Sequence, residues 1–284
     1  MLRTDTTDVL IDCAENTQRQ LLKAGVGMGK VSHILITHLH GDHYFGLAPL
    51  LSSLSMQGRT SPLSITSPLH LRPRLEALLE LDKYPLRYAL NFHTVHPDGS
   101  FQLPNIGDLE VFAFPLQHRN ETNGYLLREK KRETNIRKEA ITAYDLPWPA
   151  IKAIKAGGSH TLPNGTLIPN TDLVTQPPLP RSYAHCSDTI YFPELAGYVD
   201  GVDLLYHEAT FLKDMAEDAA RKGHSTAEDA ARTALAAGVG QLVLGHYSTR
   251  YESSAGHEAE ARAVFPNTVA ADDLYRFSVP FRGR

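Results

Sequence analysis

The sequence predicts an α/β domain interrupted by one long insertion, and three observations carry this. Short apolar runs alternate with segments that have helix caps and helical length. A histidine or an aspartate stands repeatedly just beyond such an apolar run. From about 130 to 180 the rhythm gives way to proline and glycine.

Val9–Ile11 reads as a short strand, and Asn16 is placed to N-cap a helix through Ala24 that Gly25 closes. Ile34–Ile36 is a buried strand, and a helix over about Phe45–Gln57 ends at Gly58. A strand near Leu63–Thr66 and a helix over about Leu71–Leu81 follow. Further strands lie near Arg87–Phe92, Leu109–Phe114 and Asn123–Arg128. The segment from about 130 to 180 holds Leu146-Pro147-Trp148-Pro149, Gly157-Gly158, Pro163-Asn164-Gly165 and Pro177-Pro178-Leu179-Pro180. Proline removes donors and glycine loosens the chain, so regular core structure is not expected there. A stretch of that length inside a compact domain reads as a functional loop or protrusion. The α/β order then resumes. Val202–Tyr206 is a strand ending at His207, and Ser225-Thr226-Ala227-Glu228 reads as a capping box opening an Ala-rich helix that ends at Gly238. Gln241–Gly245 is the strand that delivers His246, and no internal repeat is seen.

At 284 residues and 42% hydrophobic the chain can bury a substantial core. No apolar run approaches the roughly 20 residues of a membrane span. Asp5 and Asp8 interrupt the N-terminus, so no signal peptide is expected. Two cysteines, Cys13 and Cys186, are too few for a disulfide scaffold and point to a reducing cytoplasm. The net charge of −4 speaks at first against a nucleic-acid partner. Between Arg128 and Ala156, however, eight basic residues face four acidic ones, a net of +4 on a chain that elsewhere carries −8. A basic element on an acidic body suits phosphate contact, although a solvated helix face has the same composition.

The chemistry concentrates in Thr37-His38-Leu39-His40-Gly41-Asp42-His43, where three imidazoles and a carboxylate follow directly on a strand. These are the ligands that a zinc-like ion takes from protein. His118, Asp188 and His246 each follow another strand-like run. Together the seven residues suffice for two ions. His38, His40 and His118 suit one, and Asp42, His43 and His246 the other, with Asp188 shared. Paired metals roughly 3.5–4 Å apart are a common device of phosphodiester hydrolysis. His224 stands in a loop at a helix N-terminus and is not needed as a ligand, so it is the candidate proton donor. Glu208 is placed to orient it. His33, His70, His93, His96, His160, His185 and His257 lack such a context and read as surface or loop histidines.

His38, His40, Asp42 and His43 match the His-x-His-x-Asp-His loop of the metallo-β-lactamase superfamily, which the chain resembles. Within it, Asp12-Cys13-Ala14-Glu15-Asn16-Thr17-Gln18, Ser187-Asp188-Thr189, His207-Glu208-Ala209-Thr210-Phe211 and Gly223-His224-Ser225-Thr226-Ala227 resemble the ribonuclease Z branch, in order along nearly the whole chain. The resemblance implies a four-layer αββα sandwich over residues 1–284, with an inserted tRNA-binding arm at about 130–180. It also implies two zinc ions, a tRNA precursor as partner, and a homodimer. The implied activity is an endoribonuclease that cuts the 3′ trailer and leaves a 3′ hydroxyl, with Asp42, His224 and Glu208 in catalytic roles. Two departures stand out. Met1 is only eleven residues before Asp12, so the family's N-terminal Gly-rich hairpin is expected to be missing. Ala14 and Asn16 replace two glycines of the family motif. Two rival readings remain, another hydrolase of this fold acting on a small ester and an inactive RNA- or metal-binding homologue.

Overall fold

The computed structural model describes residues 1–95, 101–175 and 177–281. His96 lies outside them. The chain forms two compact units, one of residues 1–128 with 182–279 and one of residues 129–181 with those from Pro280 on.

The larger unit holds two sheets. The first runs in the order Leu2–Arg3, Asp8–Ile11, Val31–Leu35, Leu63–Pro68, Leu90–Val95. Its first pair is antiparallel and the rest are parallel. Parallel neighbours require crossovers, and helices Thr17–Lys23, Leu47–Met56 and Leu71–Leu79 supply them. The second sheet runs Thr268–Ala270, Gln241–Gly245, Leu204–Glu208, Ser182–Cys186, Thr122–Glu129, Leu109–Leu116, Phe101–Ile106. Its first four strands are parallel.

Alternation along the strands builds the layers. Val9 and Leu35 pack with Val111, Tyr125 and Leu127 of the second sheet, so the two sheets meet face to face. Their neighbours Leu10, Ile34 and Ile36 point the other way, into a core with Leu21, Leu50, Leu54 and Leu75 from the three helices. On the far side, Leu126, Ala184, Leu205 and Leu242 pack under Ala230, Ala234 and Ala261 of helices Ala227–Ala236 and Ala255–Arg262. The order is therefore helix, sheet, sheet, helix.

Local details depart from expectation for physical reasons. The helix expected from Phe45 starts at Leu47, after a separate turn Gly41–Tyr44. Gly46 lies against the Ala14 carbonyl, where a Cβ would come within 1.9 Å of the oxygen. Asn16 precedes its helix with φ 63° and makes no side-chain cap. The chain needs a left-handed turn there, which asparagine tolerates where most residues do not. The capping box is Thr226 with Asp229, one residue later than read, because the Ser225 hydroxyl donates to the Thr189 carbonyl. Phe101–Ile106, not foreseen, is an edge strand, where Pro104 costs no ladder bond.

The smaller unit corrects the expectation of irregular structure. Helices Lys138–Ala143, Trp148–Lys155 and Asn170–Leu173 pack Ala140, Leu146, Ile154, Leu173 and Val174 into a core of their own. Pro147 and Pro149 fall at the start of the second helix, where no N–H is required, so they begin a helix and do not break one. The unit's base is closed by Arg181, whose backbone N and Nε both donate to Glu129 Oε2 at 3.0 Å. Among the described residues, no helix is long and apolar enough to cross a membrane.

Candidate metal centre

Strand ends deliver the site. Val31–Leu35 runs into Thr37, His38 and His40, and the turn Gly41–Tyr44 carries Asp42 and His43. Leu109–Leu116 leads to His118, Ser182–Cys186 to Asp188, Leu204–Glu208 ends in Glu208, and Gln241–Gly245 leads to His246. His246 sits at φ 62°, a left-handed kink at the very end of its strand.

The structure brings all seven predicted ligands together. The ligand atoms of His38, His40, His118 and Asp188 lie within 4.8 Å of one another, as do those of Asp42, His43 and His246. Asp188 stands between the two sets. Its Oδ2 is 3.7 Å from His38 Nε2 and 3.8 Å from His118 Nε2. Its Oδ1 is 3.4 Å from His43 Nε2 and 3.3 Å from His246 Nε2. Asp42 Oδ2 is 3.6 Å from His43 Nε2 and 3.8 Å from His246 Nε2.

The donor set fits divalent cations. His43 Nε2 is buried with no hydrogen-bond partner, yet it faces two other ligand atoms, Asp42 Oδ2 and Asp188 Oδ1. Such an orphaned atom is costly unless an ion is meant to sit there. Outer partners set the tautomers. His43 Nδ1 lies 2.7 Å from Asp12 Oδ2, and His118 Nδ1 donates to the Gly223 carbonyl at 2.6 Å. In both rings Nε2 is left with its lone pair. Asp12 also accepts from the Thr37 N–H and hydroxyl, each at 2.8 Å, a role that its strand-end position alone did not reveal.

Charge follows the crowding. Burial, with His43 nearby, pushes His38 down to about 3, a neutral imidazole ready to coordinate. Burial also opposes a proton on His246, but the neighbouring Asp42 and Asp188 carboxylates outweigh it and raise the group to about 9. The His246 imidazole in turn holds the Asp42 carboxyl well below the usual range. Asp188 is lowered despite its burial, by His246, His43 and His38.

Glu208 is fully buried beside this cluster. Its Oε1 lies 2.9 Å from His224 Nδ1 and accepts from the Thr189 and Ser225 amides at 3.0 and 3.1 Å. His224 Nδ1 is also 3.9 Å from Asp188 Oδ2, so the candidate donor borders the metal ligands. Two histidines read as surface or loop residues are neither. His257 is fully buried on a helix between Tyr247 and Tyr251, and His185 stacks on Tyr206 within its strand.

The sequence model described as a beta-lactamase superfamily domain matches residues 7–137. Fold and site thus define a protein of the metallo-β-lactamase superfamily. A protein named Ribonuclease Z from Bacteroides fragilis is 42% identical over 264 residues, covering 93% of this chain and 87% of that protein. One of the same name from Crocosphaera subtropica is 34% identical over 279 residues, covering 96% and 88%. The chain belongs to the ribonuclease Z family. Among solved structures, the short form of human tRNase Z matches with TM-score 0.71 at 26% identity, covering 99% of this chain and 91% of that one. The metallo-beta-lactamase fold protein YhfI from Bacillus subtilis shares the fold, with TM-score 0.63 at 18% identity, covering 95% and 87%.

Proposed function

We propose that this nuclease is a zinc-dependent endoribonuclease that removes the 3′ trailer from tRNA precursors and leaves a 3′ hydroxyl on the tRNA. Family membership supports the tRNA 3′-processing activity. The observation that carries the mechanism is Asp188, whose two oxygens face two separate sets of ligands. His38, His40 and His118 would hold one zinc ion, and Asp42, His43 and His246 the other. When bound, such a pair activates water near neutral pH and offsets charge on a phosphoryl oxygen.

The remaining steps belong to side chains. Asp42 is the most open of the carboxylates, its side chain 65% exposed, and it is placed to orient the attacking water. Glu208 holds the Nδ1 side of His224, which leaves Nε2 to donate a proton to the departing ribose 3′ oxygen. Residues of about 130–180 form the arm that contacts tRNA phosphates, in keeping with their +4 segment. The reading extends to a homodimer in the cytoplasm. The buried, unpaired Cys13 and Cys186 suit a reducing compartment.

Incubation of the purified protein with a tRNA precursor, with mapping of both new ends, tests the proposal. A 3′ hydroxyl at the trailer junction, lost on chelation and restored by zinc, is expected. Cleavage that persists in chelator, or a 3′ phosphate product, overturns it.

A further inference from the structure

Thr210 stands between the two histidines that flank Glu208. Its Oγ1 is 2.7 Å from Glu208 Oε2, 2.9 Å from His246 Nδ1 and 3.3 Å from His224 Nδ1. A hydroxyl has one proton, and a carboxylate oxygen can only accept. The Thr210 proton therefore goes to Glu208, and its oxygen becomes the acceptor. His246 must then carry hydrogen on Nδ1, so that Nε2, which faces Asp188 Oδ1 at 3.3 Å and Asp42 Oδ2 at 3.8 Å, is the nitrogen that would give up its proton and offer its lone pair to an ion. The opposite tautomer would put an N–H where a ligand lone pair is required and leave two acceptors face to face at Thr210.

The other oxygen of the same carboxylate holds His224. One buried group thus orients a ligand imidazole through a hydroxyl and the proton donor directly. We propose that Thr210 is a positioning residue for the metal centre. Its hydroxyl sets the tautomer of His246, and so the affinity for the ion on the Asp42, His43 and His246 side. It also ties that imidazole to the carboxylate that orients His224. This rests on the two-ion reading above and adds a residue to it.

Thr210→Val and Thr210→Ser separate the hydroxyl from everything else Thr210 does. Both keep the backbone N–H that donates to Glu208 Oε2 at 2.9 Å, and only serine keeps the oxygen. Zinc is titrated into metal-free protein against a chromophoric chelator, with native mass spectrometry for stoichiometry. Wild type should take two equivalents. In Thr210→Val the second should bind about 10–100-fold more weakly, the usual effect of removing an outer partner of a metal-bound histidine, while the first is unchanged. Thr210→Ser should restore it. Equal affinities of wild type and Thr210→Val for both ions would overturn the proposal. So would a loss that serine does not rescue. Wild type that takes up fewer than two ions would instead refute the two-ion reading itself. If Thr210→Val does not fold, long-range ¹H–¹⁵N spectra of zinc-loaded wild type decide. Coordination of His246 through Nε2 with hydrogen on Nδ1 supports the proposal, and coordination through Nδ1 overturns it.

Discussion

Replacing Asp12 separates what this carboxylate does for the fold from what it does for the candidate ligand His43. Its Oδ1 accepts from the Thr37 amide at 2.8 Å, and its Oδ2 lies 2.8 Å from the Thr37 hydroxyl and 2.7 Å from His43 Nδ1. Thr37 is fully buried and the His43 side chain is 7% exposed. Alanine orphans two buried N–H donors, at about 1–3 kcal/mol each, so Asp12→Ala should lose about 2–6 kcal/mol of stability. Asparagine behaves differently. Its carbonyl still accepts from the Thr37 amide, and the hydroxyl can turn to accept from the new NH2 group. That NH2 group also confronts His43 Nδ1, which must give up its hydrogen and move it to Nε2, the atom aimed at Asp188. Asp12→Asn should therefore keep most of the stability, losing about 1 kcal/mol for one altered bond, yet weaken one zinc equivalent about 10–100-fold. Urea denaturation of the metal-free proteins and zinc competition titration of the same samples read the two effects apart. An Asp12→Asn protein that binds both zinc ions as wild type does would refute the tautomer argument, since the NH2 group cannot accept from Nδ1.

Three further outcomes follow from the geometry. His224→Ala should keep wild-type metal content by mass spectrometry but lower turnover of tRNA precursor by roughly 10²–10⁴-fold, the usual worth of a positioned acid. Replacing residues 131–178 by a short Gly-Ser bridge should weaken tRNA binding and flatten its salt dependence in filter-binding assays, because phosphate contacts carry that dependence. The same deletion should spare hydrolysis of bis(p-nitrophenyl) phosphate. Burial lowers His257 to about 4, so the folded chain resists a proton that the unfolded chain takes up near ~6.5. The share of stability tied to this group is thus full above about pH 6.5 and falls toward pH 4, by at most ~1.4 kcal/mol per unit, and His257→Phe should lower the slope of urea-derived stability between those values by up to that amount.

What could be read in advance follows from how local each signal was. His38 to His43 fall within one loop, and His118, Asp188 and His246 each sit past a recognisable strand, so their convergence needed only the rule that strand ends meet at one edge. Asp12 is different. Its partners lie 25 and 31 residues away, and nothing near it in sequence shows that it would reach across to His43. His257 is hidden for the same reason, since its burial depends on a helix setting it against Tyr247 and Tyr251. In the 130–180 segment the signal was ambiguous. Proline at a helix start and proline in a loop are the same letter, and only the packing of Leu146 and Ile154 against Leu173 distinguishes them.

The ligand order along the chain also governs when the centre can exist. His38 through His43 leave the ribosome early, but His246 follows roughly 200 residues later. At about 5–20 residues per second this is a delay of about 10–40 s. For most of it the emerging imidazoles lack the carboxylate between the two sets, Asp188, and for all of it they lack the last member of the second. On the two-ion reading, a nuclease assembled this way would stay silent while it is being made. The strand that leads to His246, Gln241–Gly245, is among the last elements of the second sheet to be made, so the second set of ligands is complete only near the end of synthesis.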